Sequence, residues 1–164
     1  MKVNSQVFRA YDIRGIVNEE LSDELVKKLG KAIGTLLRRN NSDALNVCRD
    51  GRLSGPYISE LFIKGVLSTG CNVYNLDLGP TPLLYFSTFK TSIRNGVMIT
   101  GSHNPKDDNG LKIVINDDAI SGLELLSEVE NQAYVINVET SCEKINLYPK
   151  YQKEINQKFR LGKK

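Results

Sequence analysis

Four short apolar runs, set apart by helix-like stretches, constrain this 164-residue chain more than any other feature. They are LNVCR (45–49), NVYNL (72–76), GVMIT (96–100) and LKIVI (111–115). Each is rich in strand-forming residues and is bounded by Gly, Asn or Asp. A helix pattern over 22–39 precedes them, with Ser22 as N-cap, Asp23 and Glu24 in the first turn, and Leu25, Val26, Leu29, Ile33, Leu36 and Leu37 on one face. A second helix is expected over 56–69, with Pro56 at its first position and Gly70 just past its end. A third starts at Thr81 and Pro82 and carries Leu83, Leu84, Phe86 and Phe89. A fourth opens on the capping box Ser121-x-x-Glu124 and continues through Leu126, Val129, Ala133 and Ile136. Strands divided by helices run parallel with right-handed crossovers, so the first three runs should be parallel. The third and fourth are joined only by a loop, so the fourth should be antiparallel. The expected fold is α/β: a three-layer α/β/α sandwich around a small mixed sheet of four strands.

Composition narrows the classes. Hydrophobic residues at 40% and charged residues at 25% are ordinary for one soluble domain. The formal net charge is +3, but Lys150, Lys153, Lys158, Arg160, Lys163 and Lys164 crowd the chain end against Glu154 alone. The basic character therefore belongs to a tail, which reads as a solvated helix face. No alternation of aromatic and basic residues offers a stacking platform, so no nucleic-acid partner is expected. Cys48, Cys71 and Cys142 form no CxxC pair, so neither a zinc site nor a redox motif is expected. Cys48 and Cys71 lie in apolar runs, as reduced buried thiols do. The N-terminus shows no apolar core of a signal peptide and no stretch approaches membrane-spanning length, so a cytoplasmic protein without a membrane partner is expected. The final stretch, YPKYQKEINQKF, is a polar helix with few core positions. It divides the chain into a domain over 1–140 and a helical linker over 141–164, and suggests a fragment of something larger.

The loop TGSHNPKDDNG (100–110) is longer than a hairpin requires. It leaves the third run at the carboxyl edge of the parallel strands, where ligands gather in α/β sheets. Gly101 permits a tight turn, Pro105 stiffens Asn104, and Asn109-Gly110 reads as a turn pair feeding the fourth strand. Ser102 is thus presented on a rigid turn. A serine for acyl transfer needs a separate His and carboxylate, often on G-x-S-x-G, which Gly101-Ser102-His103-Asn104 does not match. A serine carrying a phosphoryl group needs cations instead, and Arg9, Arg14 and Lys112 supply them. On the residues alone, the stretch reads equally as a functional loop or as a hydrogen-bonded turn without chemistry.

TGSHNP with NGLKI resembles the phosphoserine loop of the α-D-phosphohexomutases, the phosphomannomutase/phosphoglucomutase superfamily. FRAYDIRG (8–15), RDGRLSGP (49–56) and LGPTPLLY (78–85) are similar to the family's other first-domain segments, in the same order. Gly101, where other members carry alanine, looks most like the phosphomannomutase/phosphoglucomutase type. The resemblance implies a first domain out of four. The Asp-rich metal loop, the sugar loop and the phosphate loop of the other three have no counterpart here. It implies that Ser102 gives a phosphoryl group to a hexose phosphate, passes through a hexose 1,6-bisphosphate that also serves as activator, and contributes one ligand to Mg²⁺. It implies that this stretch alone is inactive.

By the same resemblance Lys112 transfers protons, Arg14 holds charge, His103 organises the loop beside the phosphate, and Tyr11 contacts substrate. Arginine is too basic to serve as a plain proton acceptor, which is why the two cations divide in this way. Without the resemblance Lys112 reads as a solvated strand residue and Tyr11 as a packing residue. Asp107 and Asp108 read as solvated carboxylates. Arg49, Asp50 and Arg52 form a charged loop that either supports the site or caps the second helix. The alternatives are a stand-alone phosphate-binding module without catalysis, a phosphoglucosamine mutase domain, and a serine hydrolase, which lacks its elbow and its acid.

Overall fold

The computed structural model describes residues 4–137 and 140–159. In chain order the elements are a 3-10 turn at Ser5–Val7, β1 (Ile13–Ile16), α1 (Asp23–Arg39), β2 (Ala44–Arg49), α2 (Gly55–Leu67), β3 (Asn72–Leu78), α3 (Thr81–Lys90), β4 (Gly96–Ile99), β5 (Asp108–Ile115), β6 (Asp118–Ile120), α4 (Gly122–Asn131), β7 (Cys142–Lys144) and α5 (Tyr148–Lys158). Arg160, Lys163 and Lys164 of the basic tail lie outside the described residues.

The expected α/β/α sandwich is present, and β2, β3 and β4 are parallel while β5 runs antiparallel to β4. The sheet is larger than the four strands expected. Among the described residues it has seven, in the order β1-β5-β4-β2-β3-β7, with β6 also paired to β5. The added strands β1, β6 and β7 are three or four residues long and polar or Gly-containing. Backbone pairing recruits them, so no hydrophobic alternation marks them in the sequence.

Helices α1, α2 and α4 cover one face of the sheet over a large core that includes Ile13, Leu29, Ile33, Phe62, Val97, Leu111 and Leu125. Gly30 and Gly65 let α1 and α2 touch almost backbone to backbone: a Cβ on Gly30 would stand 2.2 Å from the Phe62 carbonyl oxygen, and one on Gly65 2.3 Å from that of Lys27. Helix α3 covers the other face over a smaller core of Cys48, Leu76, Leu83, Leu84 and Met98. Ser22 caps α1 by accepting from the Leu25 N–H, and both halves of the Ser121–Glu124 capping box form. Gly70 ends the α2 turn at φ +82°.

Helix α4 is shorter than its pattern. It stops at Asn131, Gln132 is left-handed, and Ile136 is 86% exposed. Beyond it Arg39 donates to the Ala133 carbonyl at 2.7 Å and Thr35 accepts the Val135 N–H at 3.1 Å, so this stretch runs along α1 instead of continuing the helix. Past residue 140, β7 pairs in parallel with β3. Helix α5 has no buried residue, yet Tyr151 meets Phe86 edge-on at 5.3 Å and Glu154 pairs with Lys90 at 3.0 Å. No described helix is long and apolar enough to cross a membrane.

Candidate functional site

Strand β4 ends at Ile99, and the chain crosses residues 100–107 before entering β5. Ser102 stands exposed on this loop with φ +55°, a left-handed conformation that costs a non-glycine residue about 1–2 kcal/mol. What holds it there comes from the β2–α2 connection. Arg52 reaches over and donates to the carbonyls of Ser102 (3.1 Å), Asn104 (2.7 Å), Asp108 (2.8 Å) and Pro105. Its fifth donor, Nε, faces the Asp50 carboxylate at 3.4 Å. The guanidinium side chain is only 13% exposed. Hydrogen bonds from a charged donor contribute about 1.5–3 kcal/mol each, so even two outweigh the backbone strain at Ser102.

Asp50 works from the other side. It accepts from Thr100 Oγ1 at 2.7 Å and from the Arg52 backbone N–H at 3.1 Å. Thr100 Oγ1 in turn accepts from the Ser102 N–H at 2.8 Å. Gly101 is buried, and a Cβ there would meet Arg52 Cζ at 2.4 Å. Its small size therefore admits the guanidinium as well as the turn. Arg52 and Asp50 are the site residues that sequence reasoning left uncommitted. Their signal was present in RDGRLSGP, but nothing local shows which loop that arginine reaches.

Arg14 projects from β1 beneath the same loop and is 8% exposed. It donates to Asn104 Oδ1 and pairs with Asp12. Its Nε is buried and has no hydrogen-bond partner among the described residues. Asn104 donates on to Asp108 Oδ2 at 2.6 Å, so Asp108 is not the solvated carboxylate expected but a link in this chain. Asn109 and Gly110 are likewise not a turn. Both lie within β5, where Asn109 is fully buried and donates to Ser54 Oγ at 2.9 Å. Gly110 lets β1 come close, since a Cβ would stand 2.1 Å from the Ile13 carbonyl oxygen.

The remaining candidates gather unevenly. His103 is exposed with Nδ1 3.4 Å from Ser102 Oγ, at the outer limit of a hydrogen bond. Lys112 is half-buried on β5, opposite Met98. Arg14 pairs with Gly110, and strand alternation then sends Arg14 and Lys112 out on the same sheet face. Among the described residues no hydrogen bond or ion pair engages the Lys112 ammonium. Tyr11 is 88% exposed, which removes its reading as a packing residue. An open hollow of about 800 Å³ runs between Val17–Asn18, the 50–54 loop and the 102–107 loop, with Ser102 and Arg52 on its wall and neither Lys112 nor Tyr11 among its lining residues. Cys48, at the end of β2, is no nucleophile here: burial pushes its thiol up to about 11, and burial pushes Cys71 up to about 12. Among the described residues no three His, Cys, Asp or Glu side chains converge as a metal site. At the loop tip the exposed Ser102 hydroxyl can present an oxygen to a cation.

The description of a family model, phosphoglucomutase/phosphomannomutase, alpha/beta/alpha domain I, matches residues 5–137. A phosphomannomutase/phosphoglucomutase of Pseudomonas putida is 40% identical over 161 residues, which is 96% of this chain and 35% of that protein. A phosphoglucomutase of Neisseria meningitidis serogroup B is 39% identical over 159 residues, 94% of this chain and 35% of that protein. A crystal structure of a phosphoglucomutase/phosphomannomutase family protein from Burkholderia thailandensis superposes with a TM-score of 0.91 at 29% identity, covering 99% of this chain and 38% of that one. The chain thus spans about a third of the length of the curated relatives it matches. With its sandwich, its ordered motifs and its clamped serine loop, the chain belongs to the phosphoglucomutase/phosphomannomutase family, as domain I.

Proposed function

We propose that this chain is the phosphoserine-bearing first domain of an intramolecular phosphotransferase that interconverts hexose 6-phosphate and hexose 1-phosphate, of the mannose or glucose type. The observation that carries the reading is Ser102: an exposed hydroxyl on a left-handed residue, at the carboxyl edge of parallel strands, with its loop tied down by two arginines. Little in that arrangement serves acyl transfer. It suits a phosphate ester, because phosphoryl transfer is catalysed almost wholly by positioning and charge.

In the proposed step a hexose hydroxyl attacks phosphorus in line. The bond from phosphorus to Ser102 Oγ breaks, a bond to the sugar oxygen forms, the hydroxyl proton passes to the neutral amine form of Lys112, and Ser102 Oγ leaves as the alkoxide. The bisphosphate then turns over, Ser102 Oγ attacks the other phosphorus, the bond from that phosphorus to its sugar oxygen breaks, and Lys112 returns the proton to that oxygen. Lys112 is suited to carry the proton because, among the described residues, no hydrogen bond or ion pair occupies its side-chain nitrogen, whose neutral amine form has the lone pair the step needs. Arg14 is tied to Asp12 and Asn104, which favours a fixed positive charge over proton transfer. In this reading His103 steadies Ser102 Oγ, for which its Nδ1 at 3.4 Å is support, and Tyr11 meets substrate, for which its exposure is support. Bound Mg²⁺ would neutralise phosphate charge. This chain fits it with a single donor, an oxygen on phosphorylated Ser102, and the remaining oxygen ligands belong to other domains of the parent.

Two measurements test the reading. In the longer parent protein, label from a hexose 1,6-bisphosphate should appear on Ser102, and Ser102→Ala should abolish both labelling and turnover; unchanged turnover overturns the assignment. The 164-residue chain alone should neither turn over hexose phosphates nor bind them more tightly than millimolar. Tight binding by the isolated chain would favour the stand-alone phosphate-binding module instead.

A further inference from the structure

We propose that Arg52, aligned by Asp50, is a positioning residue that locks the Ser102 loop into the conformation from which its hydroxyl is used. The inference rests on the reading of Ser102 as the reacting residue, but its central observation is independent of it. All five guanidinium N–H groups are spent: four on the carbonyls of Ser102, Asn104, Pro105 and Asp108, and the fifth faces the Asp50 carboxylate. Among the described residues no other side chain grips more than one residue of this loop through its backbone. The carbonyls span the whole turn, so one planar group sets the path of the chain from Ser102 to Asp108.

The same network reaches the serine from behind. Asp50 orients Arg52 and receives Thr100 Oγ1, and Thr100 holds the Ser102 N–H. Both sides of the Ser102 residue, its N–H and its C=O, are therefore governed by Asp50 and Arg52. The missing side chain at Gly101 leaves the space the guanidinium fills. A lysine could not replace this geometry, because its three donors radiate from a point instead of lying in a planar fork. Arg52 needs no contact with phosphate or sugar for this role, since its donors already point into the loop.

The test uses amide hydrogen exchange on this chain together with kinetics of the longer parent. Arg52→Ala should speed exchange at the Ser102, Asn104 and Asp108 amides by roughly tenfold or more, while Val97 and Ile113 in β4 and β5 stay protected. Arg52→Lys should recover only part of the protection. Asp50→Asn keeps the size and the fold and should loosen the same amides to a lesser degree. In the parent, Arg52→Lys should lower kcat by roughly a hundredfold with KM nearly unchanged, the loss expected when a reacting group is misplaced by about 1 Å. Wild-type exchange in the loop of Arg52→Ala, or faster exchange spread evenly through β2–β5, overturns the proposal. So does a wild-type kcat for Arg52→Lys. If Ser102→Ala leaves turnover intact, the functional reading falls while the exchange results still decide what Arg52 does to the loop.

Discussion

Two places in this molecule put non-glycine residues into the left-handed region for opposite reasons. Between β5 and β6, Asn116 (φ +53°) and Asp117 (φ +70°) form a two-residue hairpin turn. Asn and Asp are the side chains that such a turn selects, and the turn twists with its strands. At the other end of β5, Ser102 (φ +55°) has no comparable local preference. It is held by Arg52 and Asp50, about fifty positions earlier in the chain. One turn is filled by residues suited to it, and Arg94 and Asn95 only add to that local preference through the Asp117 and Asn116 N–H groups and the Arg94–Asp117 ion pair. The other is imposed by tertiary contacts, which lets an unsuited residue occupy the tip. Strain maintained from outside in this way is a common property of functional loops.

The sharpest way to break this contrast is catalytic. Ser102→Ala in the parent should lose turnover by about a thousandfold or more, with the chain's urea midpoint almost unchanged, because the hydroxyl is exposed. No change at the hairpin should affect turnover measurably. Next in size, Arg52→Ala should destabilise the chain by about 2–4 kcal/mol in urea unfolding, since it strands several partly buried carbonyls. Arg94→Ala removes the ion pair to Asp117 beside the hairpin, where the arginine side chain is 59% exposed, and should cost no more than about 1 kcal/mol. Equal losses would mean the two turns are held alike. Smaller still, Ser102→Gly should stabilise the chain by about 0.5–1 kcal/mol by relieving its φ, while Asn116→Gly should stay within about 0.5 kcal/mol of wild type. In every folded variant a thiol reagent near neutral pH should modify exposed Cys142 and spare buried Cys48 and Cys71. Reaction at Cys48 would show that loosening the loop had opened the core beneath β2.

The difference also explains what was legible beforehand. Ser22, Gly70, Ser121 and Glu124 announce helix ends because each acts on backbone within a few residues. Ser102 and His103 stood out in a loop longer than a hairpin requires, whereas the roles of Arg14 and Lys112 came from the resemblance carried by the ordered motifs. Asn109-Gly110 misled because the pair has the chemistry of a turn, whereas pairing with β1 and the bond to Ser54 draw it into β5. The helix pattern through Ala133 and Ile136 misled because apolar spacing persisted after Gln132 had ended the helix.

The sequence by itself determined the alternation of strands and helices, their caps, the parallel order of β2 to β4 and the exposed setting of Ser102. These follow from periodicity, turn chemistry and chirality, all of which act over short stretches of chain. Tertiary structure alone decided the recruitment of β1, β6 and β7, the contact of α1 with α2 at Gly30 and Gly65, and the grip of Arg52 on the serine loop. Each of those depends on backbone groups meeting across long sequence separations. A carbonyl or an N–H is the same in every residue, so no local pattern of side chains records which distant partner it will find.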